Sequence, residues 1–526
     1  MIEQEVRECE GRPRYHAIFG ARWRSLPQAF SAFLRPARTR LGTGHMFVFF
    51  LIVNLWFALN DRRGPHFLGV SVTATTEQAS KAWGWSDAGS YLQMGISLAT
   101  TGGISENLRW TLAFWPPGQA AVSSTALKIM GINGQFILFL LVLNCLLVAS
   151  LFALIWRLAQ RHIGGLLSLL AILAVYSTDL VRVYLLRNSV IWSDGWTALC
   201  LSFSVVCAIS AVGSRRGFLW IIGSGFAAGL AAYVRGQYFS MIQLALGIVG
   251  LLFLLLLLRL FISRLSRKKN KPRTKPSAFA KNFGGVALWT IALIMTCAPY
   301  ALWRASEIGD IPWDTNGKLT WTSTEAFAMM GNWIPPSDQV AFIREGGGGA
   351  ACVISRKRCE KIAKLESASP SPYNIYDQDP ISAEEYRSFT FQSLKSDPFG
   401  WISYKLPIFW RYWFSEPAIS SPGRSEPIIG SLSLIGLLLA IGSPFLLRSF
   451  ARLFVPSCVF IVCLVATFGP PFVGHLEVRY LAWPKIVGLI TMSLSLALLL
   501  KYLSKELRMC RTRSHTKSNE PLQLDS

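Results

Sequence analysis

Between Ala82 and Ile104 the sequence reads AWGWSDAGSYLQMGISLATTGGI, and Asp87 is the one charged residue in it. A carboxylate in such surroundings has two uses. It caps a helix, since Ser86 and Asp87 stand just ahead of a helical-looking run, or it takes a proton from a reacting group. Two arginines raise a matching question. Arg235 in AAYVRGQYFSM and Arg479 in EVRYLAWPKIVG stand where long apolar runs meet. A guanidinium there either snorkels toward a membrane surface or holds an anion in its planar fork. Asp194, in YLLRNSVIWSDGW, opens another apolar run. It orients a ligand, pairs with Arg182 or Arg187, or serves as an interface anchor or N-cap. His475 and Glu477 precede Arg479 and have the chemistry to bind hydroxyl groups or a metal.

The elements that must position these groups are membrane spans. Of 526 residues, 52% are hydrophobic and only 15% charged, with a mean hydropathy of +0.38. A soluble domain carries roughly a quarter charged residues. The apolar residues fall into ten blocks: 44–59, 136–155, 163–176, 192–212, 218–233, 239–261, 284–303, 428–447, 453–468 and 482–500. A bilayer core needs about 20 apolar residues as helix, so these blocks predict an all-α polytopic membrane protein of about ten spans. The blocks at 163–176 and 453–468 are the shortest.

The net charge of +23 follows the same order. Arginines cluster from Arg7 to Arg40 before the first block, then at Arg157 and Arg161, and at Arg215 and Arg216. RLSRKKNKPRTKP comes after the sixth block, Arg448 and Arg452 after the eighth, and Lys501 to Arg513 after the tenth. Every second connection is basic, as the positive-inside rule requires with both termini inside. Charge placed this way is topological and argues against a nucleic-acid partner. The first apolar run begins some forty residues in, farther than a cleavable signal would place it, so the first span is expected to be a retained anchor.

This topology divides the chain into a basic tail (1–43), a membrane module (44–303) with a first external loop (60–134), a second external region (304–427), C-terminal spans (428–500) and a cytoplasmic tail (501–526). Interfacial helices are expected in the first external loop. The second region ends in SDPFGWISYKLPIFWRYWF, an aromatic-rich amphipathic stretch expected to lie in the interface plane. Cys352 and Cys359 alone among ten cysteines fall in an external region, where they form a disulfide or remain two thiols. Asp377 and Asp379 form the one D-x-D and read as turn residues. Trp313, Trp321 and Trp333 have faces that stack on sugars or pack the loop.

The phrase D-x-x-x-Y, Asp87 to Tyr91, followed by a short helix, a Gly pair and W-P-P-G, resembles the first external loop of the GT-C glycosyltransferases. These integral-membrane enzymes take a sugar from a polyprenyl-phosphate carrier. The likeness is to the branch of protein O-mannosyltransferases and the lipid A aminoarabinose transferase. YLLRNSVIWSDGWTALCLSF is similar to that branch's second external turn, and AAYVRGQYFSM to the junction of its fifth and sixth spans. PYALWRASEIGDIPWDTNGKLTWTSTEAFAMMGNW resembles the seventh-span exit, and EVRYLAWPKIVG the opening of the last span. One departure matters: Arg304-Ala305 stands where the family carries Arg-Asn.

The resemblance implies a glycosyltransferase, inverting at the anomeric carbon, that moves a sugar from a polyprenyl-phosphate donor to a lipid, glycan or protein acceptor on the outer face. An alcohol acceptor needs a base, for which Asp87 is the candidate. The leaving phosphate needs cations, for which Arg235 and Arg479 are the candidates. Tyr91, Asp194, His475 and Glu477 are the other expected substrate-binding residues. No cofactor and no metal are assigned, the lipid-linked sugar being a substrate. A different class, a transporter or flippase of lipid-linked glycans, would carry charges at mid-span and broken helices. A scaffold without chemistry would tolerate neutralisation of Asp87. With no sequon in 304–427 and no C-terminal retention signal, a bacterial inner membrane with a periplasmic site is expected.

Overall fold

A computed structural model of the chain describes residues 42–60, 70–84, 87–108, 116–187, 190, 193–265, 278–308, 427–446, 450–473 and 478–518, with short pieces between 398 and 414. The regular structure in these residues is helical. The elements are α1 (Thr43–Asn60), α2 (Thr76–Trp83), α3 (Asp87–Thr100), α4 (Gly118–Met130), α5 (Phe136–His162), α6 (Gly165–Tyr176), α7 (Ser193–Ser210), α8 (Gly217–Val234), α9 (Ser240–Leu265), α10 (Ala278–Ile308), α11 (Pro427–Leu446), α12 (Phe450–Val473) and α13 (Ala482–Ser518). The greater part of each of the ten apolar blocks lies in one of them. Among the described residues seven helices are long and apolar enough to cross a membrane, and three further apolar stretches, in α6, α11 and α12, are shorter. The chain is an all-helical polytopic membrane protein.

The outer surface suits lipid. Ile52 and Trp56 on α1 and Leu251, Leu254, Leu258 and Phe261 on α9 are exposed, which water would penalise and acyl chains do not. Between helices the driving force is close packing and polar contact, because lipid tails are as apolar as leucine. On α8, Gly225 and Gly229 sit one turn apart against α10. A Cβ at Gly225 would come 2.5 Å from the Trp289 carbonyl oxygen, and one at Gly229 would come 2.5 Å from Thr296 Cβ. Gly436 of α11 and Gly488 of α13 make a still closer crossing: a Cβ on Gly436 would collide with the Gly488 carbonyl, and one on Gly488 with that of Ser433. Gly436→Ala is therefore expected to lower stability by about 1–3 kcal/mol through overpacking. Gly247→Ala on α9, where a Cβ meets nothing within 4 Å, is the control. Thermal unfolding in detergent measures both, and equal midpoints would contradict the close crossing.

The shortest predicted block has a structural continuation. The twelve residues of α6 rise only about 18 Å. The chain then runs through Ser177–Asp179 into a π-helical turn at Leu180–Leu185, so a helix-like path continues toward Arg187. Asn144 of α5 donates its amide to the Leu185 and Leu186 carbonyls, at 2.6 and 3.1 Å. Asn54 of α1 donates to the Cys145 carbonyl at 2.7 Å. Irregular backbone at membrane depth survives only when satisfied in this way.

Between α1 and α5 lie α2, α3 and α4. A reciprocal cap starts α2: Thr75 Oγ1 accepts the Gln78 N–H, and Gln78 Oε1 accepts that of Thr75. Helices α3 and α4 pack face to face, with Gly95 of α3 set against Ser123. The aromatic stretch expected in the interface plane has a second side. Trp410 and Phe399 are exposed, but Trp413 is buried and donates its indole N–H to the Gly430 carbonyl at 2.8 Å. Phe409 stacks on Trp413 and meets Phe468 of α12 edge-on.

Candidate functional site

The two ends of the bundle differ chemically. One end carries Arg157, Arg161 and His162 at the close of α5, and Arg215 and Arg216 between α7 and α8. Lys501 of α13 donates to the His162 carbonyl there. The other end gathers the starts of α7 and α13, the close of α8 and the packed loop helices α3 and α4.

Arg235 stands where α8 ends. Its backbone is extended (φ −147°, ψ 117°), while its N–H still bonds the Ala231 carbonyl, so the helix closes there and a 3₁₀ turn, Gly236–Phe239, leads into α9. A cation at a helix C-terminus also complements the partial negative charge of the last carbonyls. Three groups fix the side chain. Nη1 pairs with Asp194 Oδ1, Nε donates to Gln237 Oε1 at 3.1 Å, and the guanidinium carbon lies 3.9 Å from the centre of the Tyr480 ring. These contacts engage Nε, Nη1 and one face of the plane. Among the described residues Nη2 takes part in none of them.

Asp194 sits in the first turn of α7 with its side chain only 5% exposed, against 17% for Arg235. The sequence reading offered Arg182 or Arg187 as its partner. The structure pairs Asp194 with Arg235, 41 residues downstream, because α7 and α8 pack antiparallel and bring start and end together. Arg182 pairs with Asp179 at 3.0 Å inside its own turn and lies over Phe57. Arg187 is buried.

Tyr91 joins the same end. Its hydroxyl donates to Ser193 Oγ at 3.1 Å, next to Asp194, so α3 is tied to the start of α7. Asp87 opens α3 four residues, about one turn, before Tyr91; its side chain lies outside the described residues. Arg479 belongs to the 3₁₀ turn Val478–Leu481 that precedes α13, beside Tyr480, and its side chain is likewise outside them. His475, Glu477, Cys352, Cys359, the two aspartates 377 and 379 and the three tryptophans 313, 321 and 333 all lie outside the described residues. Among the described residues no three of His, Cys, Asp or Glu come together as a metal site.

Several contributors were not singled out in the sequence. Tyr480 and Gln237 grip Arg235, and Gln119 of α4 donates to the Val190 carbonyl at 3.2 Å, holding the approach to α7. Gly118 explains the W-P-P-G phrase. A Cβ there would strike the Tyr233 carbonyl and sit 2.9 Å from Val234 N, so glycine lets the loop press on the last turn of α8. Gly236, beside Arg235, has Pro116 close by, 3.5 Å from where its Cβ would be. Lys485, six residues past Arg479, is buried with its ammonium 6.0 Å from the Trp413 ring centre. The partner surface needed the fold.

No protein-family model matches this sequence, and no curated protein matches it. Among solved structures the chain is similar to an archaeal oligosaccharyltransferase. The apo form from Archaeoglobus fulgidus is 12% identical, with a TM-score of 0.41 over 92% of this chain and 53% of that one. Its complex with Zn and sulfate is 11% identical, with a TM-score of 0.43 over 89% and 51%. The archaeal oligosaccharyltransferase AglB from Archaeoglobus fulgidus, in complex with an inhibitory peptide and a dolichol-phosphate, is 11% identical, with a TM-score of 0.41 over 90% and 52%. The chain spans about half the length of these structures.

Proposed function

We propose that this protein is a membrane glycosyltransferase that moves one sugar from a polyprenyl-phosphate donor to an acceptor hydroxyl at the outer face of the membrane. The observation that carries the reading is the setting of Arg235. A guanidinium at a helix end is held through Nε, Nη1 and one face of its plane, and Nη2 takes part in none of those contacts. Such a fork suits a phosphate oxygen pair better than an ammonium would. It stands at the end of the bundle away from the arginine-rich turns, which positive-inside logic assigns to the non-cytoplasmic side. Asp87 opens a helix anchored beside it through Tyr91.

The reaction needs no redox partner. The bond between the anomeric carbon and the donor phosphate oxygen breaks as the bond to the acceptor oxygen forms, and the hydroxyl proton passes to Asp87. The donor diester carries one negative charge; the released monoester carries close to two at pH 7. Arg235 and Arg479 offset the charge that gathers on the leaving oxygen, where preorganised donors contribute most. Tyr91, Asp194, His475 and Glu477 line the reading as substrate-contacting residues, and an inverting course follows from direct displacement by the acceptor. The host is a bacterial inner membrane with the site facing the periplasm.

The cellular test is a mass-spectrometric comparison of surface glycolipids and glycoproteins with and without the gene. One glycan is expected to lose a sugar, and the wild-type gene but not Asp87→Asn is expected to restore it. Identical glycans in all strains would remove the reading.

A further inference from the structure

The partner that the structure gives Arg235 is itself an anion. Asp194 holds Nη1 of the Arg235 guanidinium, and both groups are largely withdrawn from water. A phosphate approaching Arg235 meets that carboxylate beside it. We propose that Asp194 is a placeholder anion: it occupies the Nη1 side of Arg235 and weakens phosphate binding there, most of all for the doubly charged product. The inference rests on the glycosyltransferase reading of the same site. It gives that reading a way to release product, because one fixed negative charge disfavours a dianion more than a monoanion.

The geometry separates this role from plain positioning. Orientation of Arg235 does not depend on Asp194 alone, since Gln237 holds Nε and the Tyr480 ring supports the plane. Removing the carboxylate charge therefore leaves two restraints and subtracts one repulsion. Gln237 offers the converse change. Glutamate at 237 is the same size and still accepts from Nε, but it adds a second negative charge to the guanidinium's edge.

The full-length protein in nanodiscs, titrated with farnesyl phosphate as probe, tests the proposal. Asp194→Asn is expected to bind the probe about tenfold more tightly than wild type and Gln237→Glu about tenfold more weakly, the scale of one neighbouring like charge. The methyl diester of the probe, with a single charge, should show the same order with smaller steps. A positioning residue gives the opposite for Asp194→Asn, so equal or weaker binding by that variant overturns the proposal. If Asp194→Asn does not fold, Gln237→Glu decides alone, and unchanged or tighter binding overturns it. The parent reading fails differently: wild type and Arg235→Ala would then both ignore the probe.

Discussion

Asp87→Asn is expected to lose about 10²–10⁴-fold in sugar transfer while inserting and accumulating like wild type. Asparagine keeps a side-chain oxygen and caps a helix about as well as aspartate, so the start of α3 is preserved. The ties around it are preserved too. Gly89 packs against the Gly84 carbonyl, and the Tyr91 hydroxyl donates to Ser193 Oγ. What asparagine lacks is a basic site for the acceptor proton. A cap and a base thus predict different outcomes from one substitution, read as turnover at equal membrane abundance.

Arg235→Ala is expected to cut kcat/KM for the donor by about 10²–10³-fold, the range for removing one preorganised donor from a developing oxyanion. This variant also strips Asp194 of its ion-pair partner, and breaking a buried pair costs about 3–5 kcal/mol of stability. The double variant Arg235→Ala, Asp194→Ala separates the two effects. With both charges gone the fold should recover, and transfer should not. Arg235→Lys should recover part of the activity, because a point charge attracts phosphate but lacks the fork that Gln237 and Tyr480 hold in plane. Recovery of transfer in the double variant would mean that Arg235 serves only to neutralise Asp194.

Spans were legible because hydropathy is a local property. The greater part of each of the ten apolar blocks lies in a helix, and the basic turns near Arg157 and Arg215 share the end opposite Arg235, as charge alternation required. The π-helical turn after α6 was not legible, because Asn144, 41 residues away, supplies the amide that supports it. The candidate site divides in the same way. Asp87, Tyr91, Asp194 and Arg235 stand out as polar groups at the edges of apolar runs. Their pairing does not, since Asp194 meets Arg235 only after two helices pack antiparallel, and Tyr480 reaches that guanidinium from 245 residues downstream. Gly118 reads as a turn residue in W-P-P-G until the Tyr233 carbonyl is seen against it. The aromatic stretch near 409–414 showed its amphipathic pattern, but its buried side faces Gly430 and Phe468 rather than lipid.

The most direct measurement is release of polyprenyl phosphate by the purified protein in nanodiscs, from a panel of polyprenyl-phosphate sugars with a membrane extract as acceptor source. Mass spectrometry reads the freed carrier and the glycosylated product together. Wild type is expected to release carrier from one donor in step with product, and Asp87→Asn and Arg235→Ala are expected to release little. Release that is equal in wild type and both variants, or absent with every donor while an independent lipid-linked glycan is carried across the membrane, would contradict a glycosyltransferase built on these residues.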